Sequence, residues 1–157
     1  MSYSEFTIEL VKKQFNLLLD ENKNLFSEVS GIQISDFLQI ILAENIPLAL
    51  AIATEKARSE LIIAPVLVEL RKITNRQISL FSGVDFSVDI SKGLNGTCDF
   101  IITKSQEQLT ITSPVIMLVE AKNEDMKRGY GQCIAEMLAA QQFNIRENRA
   151  NQNIYGV

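Results

Sequence analysis

There is no histidine anywhere in the 157 residues. That removes imidazole-based catalytic triads, histidine-ligated zinc and histidine as a general base. Cysteine is nearly as scarce. Cys98 and Cys133 stand far apart, in neither a disulfide framework nor a zinc-binding spacing. They read as reduced, small core residues, as expected of a cytoplasmic protein. Long apolar runs are missing too. The longest, residues 46–53, falls well short of the about 20 residues a membrane-spanning helix needs. The opening MSYSEFTIELVKK has no basic segment followed by an apolar one, so no signal peptide is expected. Nor is there a basic excess. The formal net charge is −4, the first fifty residues carry seven acids against three bases, and the remainder is balanced. A non-specific nucleic-acid coat would show as surplus Lys and Arg. Any phosphate binding must therefore be local or metal-assisted. The serines have no base partner, which leaves nucleophilic serine chemistry unsupported.

What is present is a globular composition, 46% hydrophobic and 22% charged, long enough for one domain with a core. Ser2 and Glu5 have capping-box spacing. Ile8, Val11, Phe15 and Leu18 then recur at helical intervals, predicting a helix that ends in the polar residues 20–24. Residues 35–44 read as a short helix. Pro47 suits the first turn of another, running to Lys72 with a kink or junction at Pro65 and closed by Asn75. The character then changes. QISLFSGVDFSVDI (77–90) predicts strands or a hairpin, and KGLNG a turn. TCDFIIT (97–103) alternates Cys98, Phe100 and Ile102 against Asp99, Ile101 and Thr103. VIMLVEA (115–121) is apolar on both faces, the mark of a central strand covered on both sides. Residues 130–143 predict a helix with Tyr130, Cys133, Ile134, Met137 and Leu138 on its apolar face. NIYGV begins a further strand. Helices, strands, helix, strand: this order suggests an α/β layered domain with an antiparallel-leaning meander.

The stretch PVIMLVEAKNED (114–125) ends its apolar run in Glu120 and Lys122. Alternation with period about 2 puts Ile116, Leu118, Glu120 and Lys122 on one face. Alone, such a pair is a surface ion pair at a strand end, worth little. Asp99 changes this, because it occupies a position its strand pattern would fill with a hydrophobe. If the two strands pair, Asp99 approaches Glu120. Two nearby carboxylates repel and are expensive to bury. A divalent cation with oxygen ligands resolves the conflict.

Asp99, a turn, and an apolar strand ending Glu120-Ala121-Lys122 resemble the signature of the PD-(D/E)XK nuclease superfamily, the restriction-endonuclease-like fold. Cys98 stands where that pattern usually has proline. The resemblance covers about residues 50–157. It implies an α/β fold whose restriction-endonuclease-like core is a mixed central β-sheet flanked by helices, preceded by an N-terminal helical extension. The expected division is an extension over 1–45 and the core over 46–157. NQNIYGV stops as a strand starts, so the last strand is expected to continue in a longer chain or to pair its edge with another copy.

The resemblance also implies a site. Asp99 and Glu120, with the Ala121 carbonyl, would bind Mg²⁺ or Mn²⁺, and Lys122 would position water or stabilise charge on the phosphate. Glu60, on the apolar face of a preceding helix, matches a glutamate often found there; its alternative is an ion pair with Lys56. Gln132 matches a glutamine on the helix after E-x-K, with Glu136 one turn on as the weaker candidate; the alternative is an ordinary polar helix face. Lys127, Arg128 and Tyr130 either meet a phosphate backbone or form a charged loop. Gly129 and Gly131 leave room for a phosphate. Glu124, Asp125, Asp85 and Asp89 read as solvated loop or turn residues. The implied function is Mg²⁺-dependent hydrolysis of phosphodiesters in nucleic acid, DNA ahead of RNA, by a cytoplasmic endonuclease. The alternatives are a non-catalytic nucleic-acid- or protein-binding module on the same fold, or an unrelated α/β interaction protein. A homodimer through the N-terminal helices or the last strand edge is a further expectation.

Overall fold

The computed structural model describes residues 1–123, 126–150 and 152–157, and of Arg128 the backbone alone. The chain opens with a 3₁₀ turn, Tyr3–Glu5, in which Glu5 Oε2 accepts the Ser2 N–H at 2.5 Å. A first helix α1, Ile8–Phe15, follows with Thr7 as its cap, and Asn16 in the left-handed region ends it. The predicted helix is therefore shorter than its periodicity suggested, and Leu18 is 97% exposed. Helix α2 spans Asp36–Ile52 without the expected break at Pro47. Proline costs an interior helix one backbone bond, no glycine stands beside it to stop the helix, and Asn45 turns outward to donate to the Leu61 carbonyl at 2.8 Å. After Ala53 come α3, Glu55–Arg58, a widened π-type turn, Ser59–Ile63, and α4, Ala64–Ile73. Pro65 lies in the first turn of α4, where its missing donor matters least. The widened turn is the junction predicted there.

Four strands form one sheet in the order β1 (Ser79–Asp85), β2 (Thr97–Thr103), β3 (Val115–Val119), β4 (Tyr155–Gly156). The first two pairings are antiparallel and β3–β4 is parallel, so the sheet is mixed. Helix α5, Met126–Arg146, lies across one face. There Phe81, Ile101, Val115 and Leu118 meet Ala135, Ala139 and Ala140, with Tyr3, Phe6 and Val11 in the same cluster. The opposite face carries Leu67 of α4 against Ile78, Phe100, Ile102 and Val119. Leu118 and Val119 thus enter different clusters, as a central strand requires.

Residues 3–15 are consequently built into the α/β core and do not stand outside it as an extension. The division at 45/46 falls inside α2. The reason is burial. The face of α5 and the sheet edge need cover, and the apolar side of α1 with Tyr3 and Phe6 supplies it. Strict strand alternation also fails twice. Cys98 joins the α5-side cluster with Ile101, three residues on, while Phe100 and Ile102 face α4. Opposite this break sits Gly83, at φ +63°, a backbone conformation that glycine adopts at little cost. In β3, the register shifts between Ile102 and Thr103, whose partners are Met117 and Val115. The extra residue, Ile116, turns toward the α4 side, away from Leu118.

Two further features complete the frame. Helix α2 leaves Phe37, Ile40, Leu48, Leu50 and Ile52 exposed. Among the described residues no helix is long and apolar enough to cross a membrane. Asn144, buried on α5, clamps the start of β3. Its Nδ2 donates to the Val115 carbonyl at 2.7 Å and its Oδ1 accepts the Val115 N–H at 2.8 Å. Replacing Asn144 with Ala strands both backbone groups in the core. We expect a loss of about 2–4 kcal/mol in urea unfolding, and an unchanged midpoint would contradict this role for the clamp.

Candidate functional site

The antiparallel register pairs Phe100 with Val119, so Asp99 and Glu120 come next where the two strands part. Asp99 Oδ2 accepts the Ala121 N–H at 2.8 Å, which holds the end of β3 against β2. Lys122 Nζ donates to Glu120 Oε1 at 2.6 Å, and Glu55 Oε1 lies 3.7 Å from the same ammonium. Asn123 Nδ2 donates to the Ala53 carbonyl at 2.8 Å, tying this segment to the end of α2. The Lys122 stem runs over Gly129, where a β-carbon would lie 2.7 Å from Lys122 Cγ. At Gly131 a β-carbon would lie 2.4 Å from the Phe6 carbonyl oxygen. Both glycines are therefore filled by close packing inside α5, and the phosphate approach expected there is corrected.

Helix α5 adds two more polar groups. Gln132 Nε2 donates to Glu136 Oε1 at 3.1 Å. Glu136 is fully buried, and the Glu120 side chain is only 4% exposed. The two carboxyls lie close enough to alter each other's titration. Burial, then the Glu120 charge, pushes the Glu136 carboxyl up to about 8, against the opposing Gln132 bond; Asp99 adds to the rise. Burial also raises Glu120, opposed by its Lys122 bond and reinforced by Asp99. For Lys122, burial acts to lower the pKa but is outweighed. The Glu120 bond and the charges of Glu120, Glu55 and Asp99 hold the ammonium protonated above its ordinary range. Behind the pair, the Cys98 thiol is pushed up by burial and by Glu136. The Tyr3 hydroxyl, donated to the Phe86 carbonyl, is pushed up mainly by burial.

Six sequence-predicted residues therefore meet at one end of the sheet: Asp99, Glu120, Ala121, Lys122, Gln132 and the weaker candidate Glu136. Glu60 does not, and its expected role is corrected. It is 62% exposed and pairs with Lys56 at 3.3 Å, one helical turn earlier, which is the alternative its spacing offered. Glu55, one turn earlier, is the acid that reaches Lys122. No local sequence signal marks it. Glu136 did carry a signal: its neighbours Ala135, Ala139 and Ala140 are the small residues that let α5 approach the sheet. Asp89 caps a 3₁₀ turn and pairs with Lys92 at 3.2 Å, a turn role. Asp85 accepts the Ser87 N–H at 3.2 Å. Lys127 and Tyr130 are exposed on α5. Glu124, Asp125 and the Arg128 side chain lie outside the described residues.

Among the described residues, no three His, Cys, Asp or Glu side chains already converge as a metal cage. Glu120 Oε2 and Glu136 Oε2 are nonetheless buried with no hydrogen-bond partner. Such unpartnered carboxylate oxygens suit either a proton or a hard cation, so the donor set fits Mg²⁺ or Mn²⁺.

The protonation of this site sets a pH dependence. Glu136 holds its proton up to about pH 8 in the folded protein, against an ordinary value of 4.5. Between those values the folded state binds more protons than the unfolded one, so stability falls as pH rises and levels off above about 8. The groups around Glu136 are Glu120 from the end of β3, Asp99 and Cys98 from β2, Tyr3 from the N-terminal turn, and Gln132 and Cys133 on its own helix. Glu69 and Asp89, held below the ordinary range by hydrogen bonds, lose their stabilisation at lower pH, outside this window. Unfolding free energy in a metal-free buffer series should therefore drop between pH 5 and 8, by at most about 1.4 kcal/mol per pH unit from one group, with melting temperatures falling in step. The Glu136→Gln variant should flatten that slope, and equal slopes in both proteins would refute the assignment.

No protein-family model, curated protein or solved structure matches the chain; the site's own geometry carries the functional reading.

Proposed function

We propose that this protein hydrolyses phosphodiester bonds in nucleic acid, DNA ahead of RNA, in a reaction that depends on Mg²⁺ or Mn²⁺. On this reading the α/β sheet is a restriction-endonuclease-like core and the chain resembles the PD-(D/E)XK superfamily. The observation that supports it most is the meeting of Asp99, Glu120 and Lys122 at one sheet end, beside buried carboxylate oxygens without partners.

Asp99 and Glu120, with the Ala121 carbonyl, would hold the ion. When bound, it supplies Lewis acidity toward a phosphoryl oxygen and lowers the pKa of water. Lys122 acts as a charged donor and not as a base, because Glu120, Glu55 and Asp99 keep its ammonium protonated. An ammonium fixed near a phosphate stabilises the charge that develops in the transition state. Its exit path is set by Gly129, whose missing side chain lets the lysine stem pass. Gln132 orients Glu136 through the 3.1 Å bond. No step calls for histidine.

A second reading, a non-catalytic binding module on the same fold, is favoured by one observation. The cluster already satisfies much of itself: Lys122 neutralises Glu120, and Asp99 bonds to a backbone amide. The exposed apolar side chains of α2 support association, including a homodimer, on either reading. A Mn²⁺ titration with plasmid and oligonucleotide substrates separates the two. Wild-type protein should cleave with the ion and not with a chelator, and Lys122→Ala should lower the rate about 100-fold or more. Equal rates in both proteins would remove Lys122 from the mechanism. Binding without cleavage at any Mn²⁺ concentration would leave the binding module.

A further inference from the structure

Glu120 and Glu136 reach the same buried space from different elements, and each is tied at one oxygen only. Glu120 Oε1 is held by the Lys122 ammonium at 2.6 Å. Glu136 Oε1 is held by the Gln132 amide at 3.1 Å. Both Oε2 atoms are buried and, with both carboxyls ionised, have no partner among the described residues; a proton on one of them bridges the two carboxyls. Asp99 differs. It is half-buried, and its Oδ2 is engaged by the Ala121 amide.

From this arrangement we infer that Glu136 is a ligand of the divalent cation together with Glu120, each through its Oε2, so that the ion ties the end of β3 to α5. The inference rests on the proposed reading only in taking a divalent cation as the ligand. Its physical basis is independent of the phosphodiester chemistry. A carboxylate with one oxygen fixed and the other released is a pre-oriented single-point ligand. Mg²⁺ and Mn²⁺ sites are commonly made of one or two such carboxylates, completed by water. Gln132 is then a positioning residue, since it orients the ligand without itself facing the ion. Gly129 serves the same geometry, because its missing side chain lets the Lys122 stem pack against α5 beside Glu120. The half-buried Lys122 is no obstacle, as its ammonium occupies the opposite oxygen of Glu120.

The test is calorimetric titration of the full chain with MnCl₂, beside Glu136→Gln and Glu120→Gln, each checked for folding by circular dichroism. Glutamine keeps the size and the hydrogen bonds but removes the anionic ligand. Both variants should bind Mn²⁺ about tenfold more weakly or worse, and Mn²⁺ should raise the melting temperature of the wild type alone. Wild-type affinity in Glu136→Gln with binding lost in Glu120→Gln overturns the inference and leaves the nuclease reading standing. A wild-type protein that binds no Mn²⁺ overturns both. Should Glu136→Gln fail to fold, crystals of wild-type protein grown with Mn²⁺ decide by anomalous scattering. An ion within coordinating distance of both carboxylates supports the inference, and one on Glu120 without Glu136 refutes it.

Discussion

Glu136 leaves α5 into a space that already holds Glu120, and neither side chain has meaningful access to water. Placing two ionised carboxylates there, with their second oxygens unpaired, would cost several kcal/mol per uncompensated charge. The space is fixed by packing. Ala135, Ala139 and Ala140 bring the helix onto the sheet, Gly131 admits the N-terminal backbone, and Tyr3 and Phe6 seal the region. The helix cannot retreat without opening the core. The burden therefore falls on what sits between the carboxyls: a proton in the metal-free protein, or a cation on the proposed reading.

The surrounding charges follow from that constraint. Among the described residues Lys122 is the ammonium drawn into contact with Glu120, and it gathers Glu55 as a second partner. An exposed pair such as Lys56–Glu60 contributes little, because water screens both ends. The Lys122–Glu120 bond lies mostly out of water, so the same type of contact holds more firmly there. Asp99 contributes differently. Its bond to the Ala121 amide fixes where β3 stops, and hence where Glu120 and Lys122 leave the sheet.

Local pattern made much of this legible. The β2 bounds match the TCDFIIT stretch, β3 fills Val115–Val119 of the apolar run, and the last strand begins at Tyr155, but α5 starts at Met126, inside the stretch read as a charged loop, and so exceeds the expected 130–143 at both ends. Asp99 was conspicuous as a carboxylate in an apolar strand, and Glu120 and Lys122 as charges closing one. These are signals of period and of mismatch, and neighbouring residues alone carry them. Helix α2 runs through Pro47 because proline is only a local signal, whereas helix continuation depends on packing, here against the Ser59–Ile63 turn and α4.

Composition and pattern, then, determined an α/β chain of mixed strands and helices, with no histidine chemistry and three charged residues clustered in prospect. Tertiary structure alone decided the rest. The Ile116 bulge and the break opposite Gly83 reset which side chains share a face, because twist and pairing geometry override alternation. Packing left Glu60 in solvent beside Lys56 and brought Glu55, not Glu60, to Lys122. Glu136 became the most deeply buried acid of the site only because α5 settled against β3. Burial is a property of the packed layers, and no single segment contains it.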